Sequence, residues 1–183
     1  MAMTTTIPKP DIMTIVDIPH LEDASLRESL EALLEDAVAS GASVGYHAPL
    51  TPHLNRAFWD GVARQIADGS HKLLIARGPD GALLGSVQLS LCTKPNGKHR
   101  AEVQKLLVFT AHRRKGVARR LMEVLEDTAR GLGRSLLVLD TLEGDVGEPF
   151  YERTEWQRAG QIPRFTIEAD GTYHDTVLFY KHL

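Results

Sequence analysis

The sequence predicts one α+β domain: a mixed sheet with a central helix crossing between two of its strands. Three observations predict it. The hydrophobic periodicities run strand, two helices, three strands, helix, strand, helix, two strands. Turn signals separate the middle strands and make them antiparallel neighbours. The 183 residues hold no repeat, low-complexity stretch or linker, and the length is near that of one domain.

Ile12 to Ile18 alternates weakly and reads as a first strand. From Asp23 to Ala39 the spacing is helical, with Leu26, Leu30, Leu33, Leu34, Ala37 and Val38 on one stripe. Gly41 ends that helix, and the aperiodic stretch GASVGY (41–46) follows. A second helix starts at Thr51–Pro52, a cap followed by proline in the first turn. Phe58, Val62 and Ile66 form its apolar face, and Gly69 stops it. Strands are expected at 72–77 and 82–91, joined by the turn GPDG, then at 101–109 after the Pro-Asn-Gly hairpin signal of KPNGK (94–98). A helix runs from Gly116 to about Arg130, burying Val117, Leu121, Val124 and Leu125. SLLVLDT (135–141) is a buried strand, a short helix holds Phe150 and Tyr151, and final strands are expected at 162–167 and 174–181. Residues 1–10, small, polar and proline-bearing, are expected to be loose, leaving 11–183 as the domain.

Composition narrows the function. Apolar residues make up 43% and charged residues 25%, ordinary for a soluble globular chain. The formal net charge of −3 disfavours nucleic acid as the main partner, because phosphate backbones select basic surfaces. The lone Cys92 excludes an internal disulfide and a zinc site built on thiolates, and it reads as a small core residue. The eight histidines are scattered without ligand spacing, so no metal is expected. MAMTTTIPKP lacks the apolar core of a signal peptide, and no run of about 18 apolar residues occurs. A cytoplasmic protein without membrane contact is expected.

The sharpest signal is VFTAHRRKGVARRL, residues 108–121. A strand enters a loop and then a helix whose first turn carries Gly116 and the small Ala118. Free amides at a helix start bind anions, and small residues let a bulky ligand approach the backbone. Arg113, Arg114 and Lys115 add charge where a pyrophosphate would sit. A solvated basic loop before an ordinary helix is the plainer reading, and spacing alone leaves both open.

Arg113-x-x-Gly116-x-Ala118 resembles the Q/R-x-x-G-x-G/A motif of the GNAT acetyltransferases, in the same strand-to-helix context. The element order resembles that family from about residue 11 to the end. The resemblance implies a mostly antiparallel mixed sheet of about seven strands, splayed between the fourth and fifth and flanked by about four helices. It implies acetyl-CoA as cosubstrate, its pyrophosphate on the amides of Arg113, Arg114, Lys115, Gly116, Val117 and Ala118. The pantetheine arm would pair with Leu106, Leu107 and Val108. A small-molecule amine is the implied acceptor, and the chain would be a monomer or homodimer. GASVGY, QLSLCTKPNGKHRAEVQKLLV, LDTLEGD and FYERTEWQRAGQIP are closer still to GNAT enzymes that acetylate β-lactam toxins bearing a free amine.

Acetylation requires an amine to lose a proton, an oxyanion to find a donor and a thiolate to leave. Glu102, fourteen residues before Gly116, stands where the resemblance puts a strand glutamate acting as base; an exposed carboxylate pairing with Arg100 or Lys105 is the alternative. The Leu106 amide is the oxyanion donor the resemblance implies. Asp140 closes the apolar run LLVLD, as a site carboxylate or a cap. Tyr151, in F-Y-E-x-x-x-W, falls where the family places its general acid, and a core tyrosine is the alternative. The family's usual Asn and Ala before this tyrosine are here Gly144 and Gly147, and its usual Gly after it is Glu155, so the usual asparagine contact to the cofactor is not implied. Residues 41–46 read as a lid with Tyr46 lining it or as a plain connector. Trp59, Trp156 and Phe58 read as core. A general amine, amino-acid or protein acetyltransferase and a non-catalytic acyl-CoA sensor are the competing functions; Glu102, Asp140 and Tyr151 together speak against the sensor.

Overall fold

The computed structural model describes residues 13–183. The segment 1–10 expected to be loose, and Ile12 of the expected first strand, lie outside the described residues. The elements are β1 (Thr14–Asp17), α1 (Ala24–Ala39), α2 (Pro52–Ala67), β2 (His71–Arg77), β3 (Leu83–Leu91), β4 (Arg100–Val108), α3 (Val117–Gly131), β5 (Leu136–Leu142), α4 (Gly147–Arg153), β6 (Gln157–Ile167) and β7 (Tyr173–His182).

Local chemistry sets the helices. Asp23 Oδ1 accepts from the Ser25 and Leu26 amides at 2.9 and 3.1 Å and starts α1. Thr51 Oγ1 accepts from the Leu54 amide at 3.3 Å, and Pro52 fills the first turn of α2. The stripe from Leu26 to Val38 is buried as its spacing predicts.

One sheet of seven strands runs β1-β2-β3-β4-β5-β7-β6. Every pairing is antiparallel except β4 with β5. Helices cover both faces. On one side α1 and α2 pack on Leu73, Ile75, Leu83 and Leu107. On the other, α3 and Tyr151 of α4 pack on Leu74, Val87, Ala101, Val103, Leu137 and Phe179.

Two features of β4 position the site. The first is the splay. β4 pairs β5 only at Arg100↔Leu136, Ala101↔Leu137 and Glu102↔Val138, and beyond Glu102 the strands part. The second is a bulge. Opposite β3, Ser86 pairs Leu107 but Gln88 pairs Gln104, so β4 carries an extra residue. Lys105 takes φ 50° there. The bulge turns the strand over: Val103 faces α3 and Leu107, of the same parity, faces α1 and α2.

The hairpin that KPNGK signals joins β3 to β4, with Pro95–Gly97 in a 3-10 turn and the Cys92 amide donating to the Arg100 carbonyl at 3.3 Å. Two expectations need correction. β6 begins at Gln157 rather than 162, because an edge strand exposed on both faces shows no alternation. Pro163 lies where the β6–β7 register shifts, so its missing N–H leaves no ladder bond unmade. Asp140 does not close its strand, which runs on to Leu142.

Candidate active site

Glu102 occupies the last paired position of β4 before the splay, and Asp140 stands two residues past its partner Val138 on β5. Both alternate with Ala101, Leu137 and Leu139, which are buried against α3. The carboxylates therefore lie on the face of the sheet away from α3, at and just beyond the parting of the strands. Glu102 Oε1 accepts from Gln104 Nε2 at 2.8 Å, so its partner is neither Arg100 nor Lys105. Asp140 Oδ2 lies 3.0 Å from the hydroxyl of the buried Thr176, which also stands 2.9 Å from the Thr141 carbonyl oxygen.

Tyr151 enters from α4. Its ring lies between Phe179 and Trp156, at centroid distances of 5.8 and 5.9 Å. Burial, and then the negative charge of Asp140, hold its phenol above the ordinary tyrosine range. The hydroxyl has no hydrogen-bond partner among the described residues, and it stays protonated at neutral pH, the form a proton donor needs. Gly147 admits the Thr141 side chain: a Cβ there would stand 2.6 Å from Thr141 Oγ1, and only in ordinary contact, 3.5 Å, with Tyr151 Cε2.

Lys105 joins this group, and the sequence reading treated it only as a pairing partner for Glu102. Its half-buried ammonium feels Asp140 and Glu102, while burial pulls its pKa below the ordinary lysine value. A charged residue inside the apolar run of β4 is the sequence signal for it.

The loop before α3 fits a phosphate group. Gly116 is the N-cap with φ 83°, a left-handed position that glycine fills without strain, and no side chain caps the helix. The first amides of α3 are thus uncapped. No heavy atom lies within 4 Å of a Cβ built on Gly116. Of the expected basic residues, Arg113 turns back: Nη2 donates to Ser40 Oγ at 2.7 Å and Nε to the Val108 carbonyl at 3.3 Å. Lys115 Nζ donates to the Ala111 carbonyl at 2.9 Å. Both side chains brace the loop. Arg114 is exposed, at φ 61°. Val117 is buried under the loop and Ala118 half-buried.

Leu106, Leu107 and Val108 form the free edge of the splay. Leu107 and Val108 pair β3 on one side, Leu106 lies in the bulge, and among the described residues none of the three has a strand partner on the β5 side. Their backbone is open to an extended amide-bearing chain, as a peptide adds to a sheet edge. Free edge and uncapped helix start together suit an extended chain ending in phosphate, the shape of CoA.

Residues 41–46 pack over the same opening. Gly41 and Gly45 take φ 82° and 87°, and the Gly45 position lies 4.0 Å from Lys105 Nζ when given a Cβ. Tyr46 stacks edge-on against Phe58 at 6.0 Å. The buried Trp59 and Trp156 are core, as read from sequence.

A seven-stranded sheet parted between β4 and β5, beside an uncapped glycine-led helix, is the framework of the acyl-CoA-dependent N-acyltransferases. The sequence profile of the Acetyltransferase (GNAT) family matches residues 29–156, and the chain belongs to this family of acetyl-CoA-dependent N-acetyltransferases. An uncharacterized N-acetyltransferase from Azospirillum brasilense, encoded in the hisH–hisA intergenic region, is 30% identical over 142 residues, covering 75% of this chain and 80% of its own. Among solved structures, a ribosomal-protein-alanine N-acetyltransferase from Brucella melitensis superposes with TM-score 0.76 at 20% identity, covering 93% of this chain and 99% of that one. A phosphinothricin acetyltransferase from Sinorhizobium meliloti, solved with acetyl-CoA, superposes with TM-score 0.77 at 16% identity, covering 93% and 88%. The parted seven-stranded sheet with four helices is the GNAT fold, as expected.

Proposed function

We propose that this acetyltransferase acts on the amine of a small molecule, which attacks the thioester directly while Glu102, Asp140 and Tyr151 handle the protons. The observation that carries this reading is placement: Glu102 and Asp140 lie on one face of the sheet at and just past the parting of β4 and β5, with Lys105 and Tyr151 near enough to Asp140 to feel its charge.

Acetyl-CoA supplies the activated acetyl group. The backbone edge of Leu106, Leu107 and Val108 and the amides from Arg113 to Ala118 hold it. Glu102 and Asp140 draw in the acceptor's ammonium and take up its proton, which leaves the nitrogen lone pair free. The Leu106 amide, next to the bulge, donates to the acetyl oxygen as negative charge builds there. Tyr151 gives its proton to the departing sulfur. Residues 41–46 close the acceptor side and narrow it, which favours a small acceptor over a protein chain.

The likeness of the four quoted segments to the tabtoxin resistance protein, a GNAT enzyme, makes a tabtoxin-like β-lactam toxin bearing a free amine the finer candidate acceptor, and a resistance role follows from it. The cytoplasm is the proposed compartment. The test is turnover: acetyl-CoA, detection of released thiol, and a panel of amines, amino acids, peptides and the toxin. Thiol release with N-acetylation of a small amine supports the reading. Acetylation of peptides alone makes it a protein acetyltransferase, and tight binding without turnover makes it a sensor.

A further inference from the structure

The Lys105 ammonium has no part in the proton handling above, yet it stands inside the same opening. Three observations mark it. Its backbone sits at φ 50° in the β4 bulge, a conformation costly to a side-chain-bearing residue and found where function demands it. Its Nζ reaches the 41–46 loop, 4.0 Å from where a Cβ on Gly45 would stand. It feels Asp140 and Glu102 across space, and among the described residues it forms neither an ion pair nor a hydrogen bond. An ammonium half removed from water and short of partners favours an anion brought to it. The opening therefore carries both signs, carboxylates at the parting of β4 and β5 and an ammonium beneath the loop. Such a cavity recognises a ligand that also carries both signs, because few well-placed polar groups fix orientation in a small-molecule site.

We propose that Lys105 is a specificity residue that binds a carboxylate or similar oxyanion carried by the acceptor, so that the pocket selects amines bearing an acid group over simple alkylamines. This rests on the acetyl-transfer reading of the same site. The acceptor's amine faces Glu102 and Asp140, and its acid group faces Lys105 under Gly45. The simpler alternative makes Lys105 a fixed counter-charge for the two carboxylates, and that role treats all amines alike.

The experiment uses pairs of acceptors, each protein amino acid against the amine left when its carboxyl group is removed, with acetyl-CoA and the full chain. The parent should prefer the acid of the best pair, chiefly through KM. Lys105→Met should lower that preference on the order of 10–100-fold, and Lys105→Arg should recover part of it. Calorimetric titration of the same acid into the CoA-loaded protein should show the matching loss of affinity. A preference that survives Lys105→Met, or a loss equal for acids and amines, overturns the assignment while leaving acetyl transfer intact. Binding of acetyl-CoA with neither these amines nor the toxin and wider panel named above acetylated overturns the functional reading itself, and the assignment with it.

Discussion

At the residue scale the decisive property is where each proton sits. Tyr151 keeps its proton because its ring is buried and Asp140 lies near. Tyr151→Phe removes only that proton, so kcat should fall on the order of 10²-fold with acetyl-CoA affinity nearly intact. An unchanged kcat, measured where chemistry limits the rate, makes Tyr151 a packing residue. The same burial has a stability signature. The folded pKa is raised, so above about pH 10 the unfolded chain releases the phenol proton first. Stability from this group is complete below that pH and is lost as pH climbs, and Tyr151→Phe should flatten this part of the urea-unfolding profile. Glu102→Gln and Asp140→Asn should each lower kcat/KM for the amine without harming acetyl-CoA binding. Together they should cost less than the product of the single losses, since the pair shares one task. Both losses should shrink as pH approaches the acceptor's pKa. Losses equal at every pH would make the carboxylates binding groups only.

At the element scale the bulge in β4 is the pivot of the site. It brings Lys105 into the opening, reverses the facing of Leu107 and ends at the loop that meets α3. Gly85 on β3 permits it. A Cβ there would stand 2.5 Å from the Leu107 carbonyl oxygen and 3.2 Å from the Val108 Cα, and backbone atoms cannot swing aside. Gly85→Ala should therefore cost about 1–3 kcal/mol in chemical unfolding. It should also weaken acetyl-CoA binding by shifting the edge formed by Leu106–Val108. A variant as stable as the parent with undiminished binding would show that β4 tolerates movement here. α1 supports the same region: the Thr110 amide and hydroxyl both donate to Asp36 at 2.8 Å, and Arg113 reaches Ser40. The loop before α3 is thus tied to a helix far away in sequence.

At the scale of the whole molecule, the sheet is two blocks held together between β4 and β5 by three residue pairs, by shared helices and by Lys181. Lys181 Nζ on β7 meets Glu126 Oε1 of α3 at 2.9 Å and the Thr154 carbonyl, just past α4, at 3.0 Å. A ligand lying along the splay touches both blocks and binds only the folded chain. Acetyl-CoA at about 100 times its Kd should stabilise the protein by about 2.7 kcal/mol, read as a rise in Tm. Gly116→Asp places a negative side chain at the uncapped start of α3 and should abolish most of that rise. Asparagine tolerates the left-handed backbone, so Gly116→Asn separates strain from charge. An equal rise in Gly116→Asp and parent would remove the phosphate from this loop.

The amino-acid sequence alone determined what depends on near neighbours along the chain. The stripe of α1, the cap at Thr51 and the glycine opening α3 are local, and each appears where its spacing put it. The motif Arg113-x-x-Gly116-x-Ala118 made the glycine-led turn into α3 legible, because a strand, a loop and a helix start lie together in sequence. Tertiary structure decided the rest. Periodicity could not show that β6 starts at Gln157, since that edge strand is held by β7 and not by burial. Nor could it tell that Arg113 braces Ser40, or that Glu102 pairs with Gln104, because side-chain partners depend on which surfaces meet. Lys105 shows the limit most clearly. Its neighbours in space come from β5 and from a loop sixty residues earlier, and a bulge set by pairing with β3 aims it at them. Spacing along one strand carries no record of a turn imposed by the strand beside it.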